Sequence, residues 1–148
     1  MKILLVMAKN HDTLDHASRL TEEGHVVEYC DTAQECFGIS RKYAQTIPLT
    51  PFDVVIIDQD LLDMDGLELG KKIRKLHPDQ RIIIISGSIQ NTTYRIIREF
   101  QMPTQILQKP VSSHQLLHSL YDGGMYDELK KFKSEVSRIR KSAEIRKS

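Results

Sequence analysis

The chain has 148 residues and carries 21 Lys and Arg against 20 Asp and Glu, a formal net charge of +1. That length fits one domain with a short appendage, and the even charge balance gives no electrostatic basis for nucleic-acid binding. No apolar run approaches the ~20 residues of a membrane span, so no membrane is expected, and Cys30 and Cys36 form neither a disulfide framework nor a CxxC metal pair, so a cytoplasmic location is the default.

Ile3 to Met7 predicts a first buried strand; it is too short for a signal-peptide core. His11 to Glu23 predicts a helix with Leu14, Ala17 and Leu20 on its inner face and Gly24 as its stop. His25 to Tyr29 alternates weakly and suits a short strand near the sheet edge. Thr32-x-x-Glu35 has capping-box spacing, and Ala33, Cys36, Phe37, Tyr43 and Ala44 follow at helical spacing. Pro48 and Pro51 mark a loop over residues 46–51.

Phe52 to Ile57 predicts a third strand, running into Asp58. Leu61 to Gly66 is turn-rich, and Leu67 to Leu76 predicts a helix stopped at His77-Pro78. Arg81 to Ile85 predicts a fourth buried strand, followed by Ser86-Gly87-Ser88. Asn91 to Phe100 predicts a helix with Tyr94, Ile96 and Ile97 inward, broken at Met102-Pro103. Gln105 to Gln108 predicts a fifth strand ending at Lys109-Pro110. Ser112 can cap a last helix, with Gln115 three residues on and Leu116, Leu117 and Leu120 packing inward.

Five βα repeats at this spacing imply a parallel sheet with helices on both faces. Five strands fit the order 2-1-3-4-5, with the ligand crevice outside the carboxyl ends of strands 1 and 3. Asp58 then borders that crevice. Ser86 and Lys109 stand at the ends of strands 4 and 5, so a nucleophile, a hydroxyl donor and a fixed cation converge on one rim. Singly each has a bland account: a helix cap, a turn residue, a solvated lysine.

After Asp122-Gly123-Gly124 a helical pattern fills residues 125–146. Met125, Leu129, Phe132, Val136, Ile139 and Ala143 are spaced 4-3-4-3-4, an a/d seam over about three heptads. A helix packed back on its domain, a linker, and a homodimer through 125–146 are all compatible with it. The domain reading is therefore 1–122 plus a C-terminal helix.

At this point the sequence resembles the receiver domains of two-component response regulators. Asp58 followed by Met64-Asp65-Gly66 resembles the family's phosphoacceptor loop, with Leu62 where a proline is usual. Ile82 to Ser86 with Gly87 resembles the fourth strand with its switch residue, and Lys109-Pro110 resembles the Lys-Pro motif. The resemblance covers residues 1 to about 121 and implies a flavodoxin-like fold. It implies Asp58 as phosphoacceptor, with Ser86 and Lys109 binding the phosphoryl group, and a histidine kinase or phosphorelay protein as donor with a downstream protein target.

Two departures qualify what it implies. Met7 and Ala8 stand where the family places a Mg²⁺-binding pair of acids, and neither offers an anionic oxygen to a hard cation. Ile106 stands at the aromatic switch position. No cofactor is expected, and Mg²⁺ is not expected to be held in the family's way; Asp60 is a weak substitute ligand. Lys9 or Lys109 is expected to form a standing ion pair with Asp58 in place of the metal. The expected function is an atypical receiver serving as a protein–protein interaction module, not an enzyme, with weakened phosphorylation at Asp58. The alternative is a conventional receiver switched by phosphate from a histidine kinase.

Two enzyme or cofactor classes fit less well. Asp58-x-Asp60 after four apolar residues also resembles the nucleophile motif of haloacid-dehalogenase-type phosphatases. That scheme needs a later acidic pair, and between Lys109 and the terminal helix the acid present is Asp122. A flavin site needs glycine or hydroxyl donors cradling a phosphate after strand 1, and residues 7–13 contain no glycine. The histidines show no convincing metal spacing; His114 and His118 share a helix face without a completing ligand.

Overall fold

The computed structural model describes residues 1–44, 52–99, 104–122, 134–136 and 138–142. Five strands, β1 (Lys2–Val6), β2 (Val26–Cys30), β3 (Val54–Asp58), β4 (Ile82–Ser86) and β5 (Gln105–Gln108), pair in parallel in the order 2-1-3-4-5. Five helices alternate with them: α1 (His11–Glu22), α2 (Ala33–Ala44), α3 (Gly66–Leu76), α4 (Ile89–Glu99) and α5 (Ser113–Tyr121). This is the flavodoxin-like arrangement.

The unbroken apolar runs are explained by the two faces of the sheet. In β1, β3 and β4 successive side chains go to opposite sides. Leu4, Val6, Val55, Ile57, Ile82 and Ile84 join Leu69 and Ile73 of α3 and Ile96 of α4 on one side. Ile3, Leu5, Val54, Ile56, Ile83 and Ile85 join Leu20 of α1 and Leu116 and Leu120 of α5 on the other. Helices cover both faces, so β3 and β4 are apolar until Asp58 and Ser86 close them. β2 and β5, at the edges, have mostly half-buried residues.

Two helix faces differ from the spacing of apolar residues. In α1 the buried residues are Thr13, His16 and Leu20, with Leu14 53% exposed. In α4 they are Thr92 and Ile96, whereas Tyr94 and Ile97 face outward. Both times a polar residue occupies an inward position because it has a specific partner there. Thr13 Oγ1 donates to the Ala8 carbonyl at 2.8 Å, His16 Nδ1 lies 2.7 Å from Ser113 Oγ, and Thr92 Oγ1 lies 2.7 Å from Ser86 Oγ. Apolar periodicity misses such positions because it treats polarity as exposure.

Local signals set most boundaries. Asn10 caps α1 by accepting from the Thr13 N–H, Gly24 follows it at φ +90°, and Ser112 and Gln115 complete a capping box at α5. α5 ends where Arg81 takes the carbonyls of Ser119 and Leu120. Cys30 and Cys36 are free thiols buried together in the core. The expected loop over 46–51, the break at Met102-Pro103, the Gly123-Gly124 break and most of the heptad seam lie outside the described residues.

Candidate functional site

The parallel register delivers the ends of β3, β4 and β5 to one rim. Asp58 closes β3, Ser86 closes β4, and Ser86 pairs with Gln108, the residue before Lys109. The Lys109 N–H donates to the Ser86 carbonyl at 2.8 Å, and the Gln59 N–H to the Ile85 carbonyl at 2.9 Å. The sheet's own hydrogen bonding thus runs up to the site. The Lys109-Pro110 peptide bond is cis.

Lys109 Nζ lies 2.7 Å from Asp58 Oδ1 and 3.1 Å from Asp60 Oδ2. One ammonium therefore serves two carboxylates. Burial alone would lower the Lys109 pKa; its hydrogen bonds to Asp58 and Asp60 outweigh burial and hold it above the usual lysine value. Asp58 Oδ1 also accepts from the Asp60 N–H at 2.9 Å. The Asp58 side chain is 14% exposed, against 75% for Asp60, so Asp58 is the sheltered member of the pair.

Ser86 reaches the same rim, but its hydroxyl is engaged elsewhere. It lies 2.7 Å from Thr92 Oγ1 on α4 and accepts from the Ser88 N–H at 3.0 Å. The structure brings Asp58, Asp60 and Lys109 into contact and turns Ser86 toward α4. Lys9 is exposed, and among the described residues it enters no ion pair or hydrogen bond. The ion pair on Asp58 belongs to Lys109, not Lys9. Ile106 is half-buried against the helix-covered side shared with Leu69 and Ile96.

The loop from Asp58 to Gly66 is held by contacts that the motif itself does not specify. Gly66 sits so close to the strand end that a Cβ there would meet the Asp58 carbonyl oxygen at 2.6 Å and Gln59 Cα at 2.8 Å. Asp65 caps α3, accepting from the Leu67 N–H at 2.9 Å and the Glu68 N–H at 3.2 Å. It also takes hydrogen bonds from Arg95 of α4 at 2.6 Å and from Gln59 Nε2 at 2.7 Å. Burial pushes the Asp65 carboxyl up, but the Arg95 and backbone N–H donors outweigh that and hold it below the usual carboxylate range. Asp63 caps α2 across the loop, accepting from the Ala33 and Gln34 N–H groups. Asp65-x-x-Glu68 is a helix-start spacing, so the α3 cap was legible; a cap donated from 30 residues away was not.

The model of the response regulator receiver domain family matches residues 6–121. The chain belongs to that family. The receiver fold also recurs among solved structures. A CheY-like receiver domain protein from Methanospirillum hungatei JF-1 is 26% identical over 88% of this chain and 96% of its own, with a TM-score of 0.64. The receiver domain from the hybrid histidine kinase CckA is 23% identical over 82% and 96%, TM-score 0.64, and the chemotaxis response regulator CheY4 of Vibrio cholerae 21% over 81% and 95%, TM-score 0.67. These last two share the fold. No curated protein matches the chain.

In this receiver the end of β1 differs in kind from the other strand ends. Met7 is 7% exposed and packs with Ile3, Leu5, Leu116 and Leu120. Ala8 offers a backbone carbonyl, which the Thr13 hydroxyl occupies. The carboxylates left at the rim are Asp58 and Asp60, both bound to Lys109. Among the described residues no group of three or more His, Cys, Asp or Glu could hold a metal ion. Mg²⁺ is commonly held by one or two carboxylates with water completing its shell, and both rim carboxylates here are paired with Lys109.

Proposed function

We propose that this receiver is a phosphorylation-insensitive interaction module in two-component signalling, whose Asp58 is held by Lys109 rather than by a divalent cation. The observation that carries the proposal is the contrast at the rim: Lys109 Nζ sits 2.7 Å from Asp58 while Met7 and Ala8 replace the acids that would bring Mg²⁺ to it. Without that ion an incoming phosphoryl group meets one cation already shared by two carboxylates, and in-line transfer loses its main charge support. The role proposed is that of a signalling module rather than an enzyme. Its partners are a histidine kinase or phosphorelay protein and a downstream protein target, met within the cytoplasm.

One observation favours a conventional switch instead. Asp58, Ser86 and Lys109 all stand at adjacent strand ends, and exchange of the Ser86 hydrogen bond from Thr92 to a phosphoryl oxygen would loosen the start of α4. Amide NMR spectra of the full chain, with acetyl phosphate and with or without Mg²⁺, separate the two. Our proposal expects the resonances of residues 86–99 to stay in place. A Mg²⁺-dependent displacement of those resonances, abolished in Asp58→Ala, would establish the conventional switch.

A further inference from the structure

We infer that Arg95 latches α4 to the loop after Asp58, so that α4 and its outward face form a unit that opens and closes apart from the rest of the fold. The inference concerns α4 alone and stands whether or not Asp58 accepts phosphate. α4 has little apolar anchorage: its buried residues are Thr92 and Ile96, whereas α3 buries Gly66, Leu67, Leu69, Gly70 and Ile73. Tyr94 and Ile97 are exposed, and the Arg98 guanidinium lies 5.4 Å from the centroid of the Tyr94 ring. An element with so few buried apolar side chains belongs to the low-stability end of a fold.

Polar contacts therefore set where α4 lies, and they act at two points. At its start, Thr92 meets Ser86 and the Ile89 N–H donates to Gln108 Oε1 at 3.2 Å. One turn on, Arg95 Nη1 donates to Asp65 Oδ2 at 2.6 Å, with its Nη2 3.8 Å from Glu68 and its Nε 3.8 Å from Glu99. Lys71 of α3 closes the network, 3.1 Å from Glu68 and 3.0 Å from Glu99. Asp65 Oδ2 also accepts from Gln59 Nε2 at 2.7 Å, while Gln59 Oε1 accepts from the Leu67 N–H at 3.1 Å. Gln59 thus orients, from the position next to Asp58, the oxygen that holds α4. Arg95 and Asp65 are 33% and 35% exposed, so salt screens their attraction and the latch can release without unfolding the sheet.

Native-state hydrogen exchange of the full chain in rising, sub-denaturing urea tests the latch. In wild type the amides of residues 93–99 are expected to exchange faster than those of β1, β3 and β4 and with a shallower urea dependence, the signature of a local opening. Arg95→Ala should speed the α4 amides roughly fivefold and leave their urea dependence shallow. Sodium chloride at about 1 M should reproduce most of that gain in wild type and add little to Arg95→Ala. Gln59→Ala should speed the same amides about twofold, and Gln59→Ala/Arg95→Ala should exchange no faster there than Arg95→Ala alone, because the latch fails as one device. Wild-type α4 amides that exchange at the rate and with the steep urea dependence of the strands overturn the inference, as does α4 exchange indifferent to Arg95→Ala. Additive effects of Gln59→Ala and Arg95→Ala overturn the link to the loop.

Discussion

The rim around Asp58 divides into two halves of opposite chemistry. At the ends of β3, β4 and β5 every position is polar and positioned: Asp58 on Lys109, Ser86 on Thr92, Asp65 on Arg95. At the end of β1 the chain turns apolar, with Met7 buried among the leucines of α5 and the Ala8 carbonyl taken by Thr13. The first half presents a lysine beside two carboxylates; the second presents no side-chain oxygen from Met7 or Ala8. On the reading proposed here, the receiver keeps the loop architecture around Asp58 without the acidic pair at the end of β1. The loop does structural work of its own, capping both α2 and α3.

If that structural work is real, disturbing the polar half should cost stability and disturbing Lys9 should not. Gly66→Ala should have the largest effect, about 2–3 kcal/mol in urea unfolding, because the new Cβ meets backbone atoms that cannot move cheaply. A loss under ~0.5 kcal/mol would mean the loop yields easily and the polar half is not rigid. Asp65→Ala should follow at about 2 kcal/mol, combining a lost cap with a lost partner for Arg95.

Asp65 also has a pH signature. Its folded pKa is depressed, so its contribution is fully present above the ordinary carboxylate pKa and lost as pH falls through the depressed value. Asp65→Asn should therefore flatten the acid limb of the stability profile and leave the neutral-to-basic limb parallel to wild type. An unchanged acid limb would contradict the pairing with Arg95.

The Ser86–Thr92 contact should come next. Ser86→Ala is expected to cost about 1 kcal/mol, and Ser86→Ala/Thr92→Val less than the sum of the two singles, since the pair fails together. Additive losses would show that the two hydroxyls are not coupled. Lys9→Ala should change stability by no more than ~0.5 kcal/mol; a larger loss would place Lys9 within the site after all.

What the sequence made legible follows from how each feature is encoded. The central strands are apolar on both faces, so four isoleucines in a row announce a covered sheet, and strand order follows from the βα alternation. The placement of Asp58, Ser86 and Lys109 on one rim was legible because each sits at a strand end, where a polar residue interrupts an apolar run. The inward faces of α1 and α4 were not, since Thr13, His16 and Thr92 are buried by specific hydrogen bonds that leave no periodic trace. The clamp from Asp65 to Arg95 was hidden for the same reason: its partners lie 30 residues apart and only the fold brings them together. The sequence left Lys9 and Lys109 as alternative partners for Asp58, and only the fold shows that Lys109 reaches it.

The central claim is that the acceptor half survives without its metal half. Intact mass after incubation with acetyl phosphate, with and without Mg²⁺, tests it most directly when wild type and Met7→Asp/Ala8→Asp are run side by side. We predict that wild type gains no Mg²⁺-dependent phosphoryl mass and that the variant, with two carboxylates restored to the end of β1, gains one that is lost on adding Asp58→Ala. A Mg²⁺-dependent phosphoryl adduct on wild type, absent from Asp58→Ala, would contradict the account.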